Sequence, residues 1–192
     1  MGHLIYISGG CRSGKSHHAQ QLAEELPGRR AYIATCPQID HEMAERIERH
    51  QRQRAGRGWQ TIEAPIELAK TIEQTDKFDV LLIDCLTLWV NNLLYTAEQQ
   101  GETLDEYDIR DKCNELIGSC RKRSQTIIFV SNELGMGLVP VDSISRHYRD
   151  CLGRCNQVIA QSCDTAIFMV SGLPLVLRDN PIQSGIREKG PS

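Results

Sequence analysis

Residues 9–16 read Gly9-Gly10-Cys11-Arg12-Ser13-Gly14-Lys15-Ser16, a Gly-x-x-x-x-Gly-Lys-Ser pattern set between an apolar run and a helical stretch. This placement constrains the fold more than any other feature of the chain. Glycines let consecutive backbone N–H groups curl around phosphate oxygens. Lys15 brings a cation to the β- and γ-phosphates, and the Ser16 hydroxyl suits magnesium. The helix that follows directs its positive end at the anion. The strand before and the helix after distinguish such a loop from a glycine turn that binds nothing. The pattern therefore predicts a phosphate-binding loop for a nucleoside triphosphate.

The rest of the chain fits the architecture that carries such loops. Leu4–Ile7, Ala31–Ala34, Val80–Ile83, Thr126–Val130 and Ala166–Val170 are short apolar runs that read as buried strands. Helical stretches are expected over Lys15–Leu26, Asp40–Arg54, Ile66–Ile72, Leu86–Glu98, Glu106–Arg121 and Ser143–Gln161. Trp59–Glu63 reads as a short strand or extended link, and Leu175–Leu177 as an edge strand after Pro174. Continuous apolar strands alternating with helices predict an α/β fold with a mostly parallel sheet covered on both faces. We expect one catalytic domain over residues 1–178 and a polar, mobile tail over 179–192. Asp84 ends an apolar strand, so its carboxylate is expected at the sheet's carboxyl edge beside the loop, where ligands gather in open parallel sheets. It is the candidate magnesium partner; the plainer reading is a carboxylate that caps the next helix.

Composition narrows the function classes. A net charge of -3 over 192 residues gives no global attraction to nucleic acid or anionic membranes. No apolar run approaches the ~20 residues of a membrane helix. The chain contains eight cysteines without a Cys-x-x-Cys pair, and we expect no secretory leader. They are expected to be reduced and mostly buried, which implies a cytoplasmic setting. His3 and His41 read as surface positions.

One segment stands apart. Arg46, Arg49, His50, Arg52, Arg54 and Arg57 crowd together, relieved by Glu48. On a helix Arg46, His50 and Arg54 share a face. Such a face can hold a triphosphate at several oxygens, with a histidine in the middle. It can equally be a solvated basic helix or an RNA-binding one, and composition alone favours solvation.

Several segments together carry a resemblance. The loop has arginine and serine inside it, and Tyr32-Ile33-Ala34-Thr35 follows. Then come Glu42-Met43-Ala44-Glu45-Arg46-Ile47-Glu48-Arg49-His50, Trp59 and Glu63. Asp84-Cys85-Leu86-Thr87-Leu88-Trp89, Asn91-Asn92, Ser131-Asn132-Glu133-Leu134-Gly135-Met136-Gly137 and Gly153-Arg154-Cys155-Asn156-Gln157 complete the set. In this order, over about residues 3–177, the chain closely resembles the bifunctional adenosylcobinamide kinase / adenosylcobinamide-phosphate guanylyltransferase family of cobalamin synthesis. The resemblance implies a RecA-like P-loop NTPase fold with an antiparallel edge strand, and a homotrimer. It implies phosphorylation of the aminopropanol hydroxyl of adenosylcobinamide by ATP or GTP. It then implies transfer of GMP from GTP to adenosylcobinamide phosphate through a guanylylated histidine.

The matching histidine is His50, and Lys15 is the corresponding loop lysine. Arg49 stands where some members carry an additional histidine, which leaves His50 to serve. Nucleotide contacts are implied at Gly9, Gly10, Cys11, Arg12, Ser13, Gly14, Lys15, Ser16, Ala34, Thr35, Cys36, Gln51, Arg52, Gln53, Arg54, Glu63 and Asp84, with Mg²⁺ at Ser16 and Asp84. The resemblance reverses the bland reading of the basic segment. The rivals are a P-loop kinase of another metabolite, a non-catalytic nucleotide sensor and a nucleic-acid-dependent ATPase. The last should carry more positive charge or aromatic platforms than the 5% aromatic content found here.

Overall fold

The computed structural model describes residues 2–36, 52 and 54–180. The expected helix over Asp40–Arg54 falls mostly outside the described residues, as do His50, Gln51, Gln53 and the tail beyond Asn180. Strands β1 (His3–Gly9), β2 (Arg30–Ala34), β3 (Trp59–Glu63), β4 (Val80–Asp84), β5 (Thr126–Asn132), β6 (Thr165–Val170) and β7 (Leu173–Asp179) form one sheet in the order β3-β2-β4-β5-β1-β6-β7. All neighbours are parallel except β6 and β7. This is the expected α/β sheet with an antiparallel edge.

Alternation along the strands builds two cores. Leu4 and Tyr6 of β1, Leu81 and Ile83 of β4, and Ile127 and Phe129 of β5 face one way. They meet α2 (Leu68–Glu73), α3 (Leu86–Gln99), α4 (Glu106–Arg121) and α5 (Ser143–Ser162). Ile5 and Ile7, Val80 and Leu82, and Ile128 and Val130 face the other way. There they meet Ala19 and Ala23 of α1 (Lys15–Glu25), whose small side chains let the helix lie close across β1, β5 and β4. Each fully buried Leu or Ile adds ~1.5–3 kcal/mol by leaving water. All eight cysteines are free thiols, and five of them are buried.

Helix ends follow local chemistry. Asp105 caps α4 by accepting from Tyr107 N–H and Asp108 N–H, and Asp108 answers by accepting from Asp105 N–H. Asp142 caps α5 through Ser145 N–H at 2.7 Å. The edge strand β7 is longer than its apolar run suggests, because Pro174 is tolerated where one side of the strand pairs with no strand among the described residues. His3 corrects the surface reading: it opens β1, and its Nε2 lies 3.2 Å from Thr165 Oγ1.

Asp164 joins three elements. Its carboxylate accepts from Arg121 at 2.9 and 3.0 Å and from Leu4 N–H at 2.8 Å. Burial works against its charge, but Arg121 and the Leu4 N–H hold its carboxyl below the ordinary carboxylate range. A depressed folded pKa contributes stability above the unfolded pKa of ~3.9, and the contribution is lost as pH falls through the folded value. Asp164→Asn should therefore lower the urea midpoint near pH 7, and the gap to wild type should shrink below about pH 4. An equal gap at both pH values would remove the ionised carboxylate from the account.

Candidate active site

The loop between β1 and α1 is held from several sides. Its backbone turns at Arg12 (φ 56°) and Gly14 (φ 91°), both left-handed. A side chain at Gly14 would be strained there, and its Cβ would sit 3.3 Å from Gly172 Cα. At Gly9 a Cβ would stand 2.6 Å from both the Met169 carbonyl oxygen and Ser13 Oγ. The turn between β6 and β7 braces the loop, with Gly172 N–H donating to the Ser13 carbonyl at 3.0 Å. Lys15 Nζ donates to the Gly10 carbonyl at 3.2 Å, which folds the ammonium back over the loop.

The loop suits a phosphate chain. Helix α1 begins with no side-chain cap and no acidic residue in its first turn, so its own sequence sets no anion at its positive end. Ser13 Oγ is buried and has no hydrogen-bond partner among the described residues. A phosphate oxygen would supply one.

Across the carboxyl edge, Glu63, Ala34 and Asp84 stand side by side on β3, β2 and β4. Asp84 follows Val80 and Leu82 in the alternation, so it belongs to the face that α1 covers. The Tyr32 hydroxyl donates to Asp84 Oδ2 at 3.1 Å. The neighbouring Cys85 thiol is pushed up to about 11, by burial first and the Asp84 charge second, while the charge of Lys15 opposes the rise. The charges of Lys15 and Asp84 thus both reach the Cys85 thiol. Ser16 and Asp84 offer hard oxygen donors, and no cluster of three His, Cys, Asp or Glu side chains occurs among the described residues. That sparse set fits Mg²⁺, which keeps waters and takes phosphate oxygens, better than a caged transition metal.

Thr35 is fully buried, and its hydroxyl is engaged by the backbone of Cys85: it donates to the carbonyl and accepts from the N–H, both at 2.8 Å. Asn92 Nδ2 donates to the carbonyls of Thr35 and Pro65. These residues fix the segment beyond β2. Arg52 and Arg54 are helical, and Arg54 is 6% exposed, its guanidinium carbon 3.4 Å from the centre of the Tyr32 ring. Trp59 meets Tyr32 edge-on and donates to Glu24 of α1 at 3.0 Å.

The loop residues Gly9–Ser16 follow β1, and Ala34, Thr35, Glu63 and Asp84 stand at or just beyond the carboxyl ends of β2, β3 and β4, while Arg54 packs on the Tyr32 ring within β2. Sequence reasoning missed the bracing turn at Gly172, whose signal was a Ser-Gly pair between two strands. It also missed the roles of Tyr32 and Asn92, although both stand in motifs it singled out.

The chain was compared with known proteins. The model of a family described as cobinamide kinase / cobinamide phosphate guanyltransferase matches residues 5–177. The bifunctional adenosylcobalamin biosynthesis protein CobP of Pseudomonas aeruginosa is 42% identical over 180 residues, covering 92% of this chain and 98% of the relative. Two proteins named bifunctional adenosylcobalamin biosynthesis protein CobU are similar over 182 residues, 91% of this chain and 99% of each relative. The one from Salmonella typhimurium is 37% identical and the one from Escherichia coli 36%. No helix among the described residues is long and apolar enough to cross a membrane.

Proposed function

The chain belongs to the cobinamide kinase / cobinamide phosphate guanyltransferase family, and we propose that it performs both transfers on adenosylcobinamide, the second through a guanylylated His50. The observation that carries the reading is the braced phosphate loop at the same carboxyl edge of the sheet as Asp84, with Arg54 of the basic segment packed on Tyr32 of β2, the strand next to the one that carries Asp84.

In the first transfer the aminopropanol hydroxyl oxygen bonds to the γ-phosphorus of ATP or GTP. The bond from that phosphorus to the β-bridging oxygen breaks, the nucleoside diphosphate leaves, and the hydroxyl proton goes to solvent. Loop N–H groups and Lys15 hold the β- and γ-phosphates, so the protein contributes position and charge rather than covalent chemistry. Ser16 and Asp84 would hold Mg²⁺, which would supply charge neutralisation on the phosphate oxygens.

In the second transfer a neutral His50 nitrogen bonds to the α-phosphorus of GTP and pyrophosphate leaves. The phosphate of adenosylcobinamide phosphate then takes the GMP, and the N–P bond breaks to regenerate the histidine. Arginines of the basic segment stabilise the departing pyrophosphate. His50 is assigned from its place in Arg46-Ile47-Glu48-Arg49-His50 and its match to the family.

Mass spectrometry after incubation with GTP and Mg²⁺ tests the reading. One peptide, containing residue 50, should gain GMP. A protein that turns over GTP with cobinamide and never carries GMP would be a kinase alone.

Asp84→Asn bears on the metal. An amide is a poor substitute for an anionic magnesium partner. The Mg²⁺ concentration for half-maximal kinase activity should rise about tenfold. An unchanged magnesium dependence would reduce Asp84 to a packing residue.

A further inference from the structure

The side chain of Tyr32 touches a member of each half of the site. Its ring is buried, 7% exposed, on the face of the sheet that α1 covers. Its hydroxyl donates to Asp84 Oδ2 at 3.1 Å. One face of its ring carries the Arg54 guanidinium at 3.4 Å, a stacking distance. The ring centroid of Trp59 lies 6.5 Å away, with the planes 83° apart, and Trp59 is tethered in turn to Glu24. A guanidinium buried to 6% exposure lacks most of its water. Its Nε has no hydrogen-bond partner among the described residues, and the Tyr32 ring face lies against the guanidinium as a favourable partner for its charge.

We propose that Tyr32 is a positioning residue common to both transfers: its hydroxyl orients the Asp84 carboxylate and its ring seats the Arg54 end of the basic segment. The inference rests on the readings of Asp84 as metal partner and of the basic segment as the guanylyl-transfer element. Two separable contacts on one side chain give it distinct consequences. A phenol that donates to Oδ2 fixes the plane of the carboxylate, as a donor to a metal ligand does. The ring face needs no hydroxyl to hold a guanidinium, so phenylalanine keeps the second contact and loses the first. Lysine at position 54 keeps the charge and loses the flat stack.

The test uses the full-length protein in four forms: wild type, Tyr32→Phe, Arg54→Lys and Asp84→Asn. Mn²⁺ binding is titrated by electron paramagnetic resonance with protein in excess over GTP. The rate of GMP adduct formation is read by mass spectrometry at saturating metal, and thermal midpoints are recorded. Tyr32→Phe should weaken Mn²⁺ binding about tenfold, with the adduct rate within about twofold of wild type at saturating metal. Arg54→Lys should do the reverse, slowing the adduct about tenfold with Mn²⁺ binding unchanged.

The inference is overturned if Tyr32→Phe binds Mn²⁺ like wild type while Asp84→Asn does not; Asp84 then keeps its role without help from Tyr32. It also falls if Tyr32→Phe loses Mn²⁺ binding and adduct rate in equal measure with a lowered thermal midpoint, the pattern of a packing residue. If neither Tyr32→Phe nor Asp84→Asn alters Mn²⁺ binding, the metal reading of Asp84 fails and the inference fails with it. An adduct rate unchanged in Arg54→Lys overturns the second half.

Discussion

Lys15→Ala should abolish phosphorylation of adenosylcobinamide, lowering its rate by about a thousandfold or more, and should weaken GTP binding as well. The argument begins with charge. A triphosphate brings several negative oxygens into the loop between β1 and α1. The backbone N–H groups and the helix end supply partial positive charges, and Lys15 supplies a whole one. Losing a single fixed donor aimed at developing charge commonly costs a factor of ~10²–10³ in rate. Lys15 carries a formal charge, so its loss should sit at the upper end or beyond. Its side chain is already drawn over the loop by the Gly10 carbonyl, so little reorganisation precedes the reaction. Transfer from γ-labelled nucleotide to adenosylcobinamide measures the effect. Folding should survive, because Lys15 is only half-buried and opens a helix whose core contacts are Ala19 and Ala23. A variant that phosphorylates at the wild-type rate would take Lys15 out of the mechanism.

The loop was legible in the sequence because its chemistry is local. Eight consecutive residues specify the turn, the cation and the hydroxyl, and the strand and helix on either side are equally local signals. The buried strands were legible for a similar reason. A parallel strand covered on both faces must be apolar along its length, and Val80–Ile83 has no other way to read. Contacts between distant positions were not legible. Gly172 meets Ser13 across most of the chain, through a turn whose residues announce only that they turn. Tyr32 and Asp84 lie 52 positions apart, and they meet because β2 and β4 are neighbours with Ala34 opposite Asp84. That pairing is non-consecutive, with β3 lying outside both, and local sequence does not encode it. The basic segment shows the same boundary. Its charges were plain, but charge alone favoured solvent, and only the burial of Arg54 against Tyr32 shows that at least one of its arginines turns inward.

His50→Ala should lose GMP transfer altogether while phosphorylation of adenosylcobinamide largely persists. The two reactions place different demands on the protein. Attack by a substrate hydroxyl on the γ-phosphorus needs position and charge, which we propose the loop, Lys15 and Asp84 provide. A covalent intermediate needs a nucleophile of the protein's own. An imidazole serves at neutral pH because a good share of it is unprotonated and its nitrogen forms a labile bond to phosphorus. Alanine offers no replacement atom, so adduct formation should fall below detection rather than slow by a modest factor. For transfer, the attacking nitrogen must come within ~3–3.5 Å of the α-phosphorus. Arg54, four residues further along the chain, is anchored on Tyr32, whose hydroxyl meets Asp84. That anchor ties Arg54 to β2, the strand beside the one that carries Asp84. Two assays on one preparation decide the matter: mass spectrometry for the GMP adduct and label transfer for the kinase step. Loss of both activities together would mean that the substitution disturbs the shared nucleotide site. A His50→Ala protein that still carries covalent GMP would place the nucleophile elsewhere in the chain.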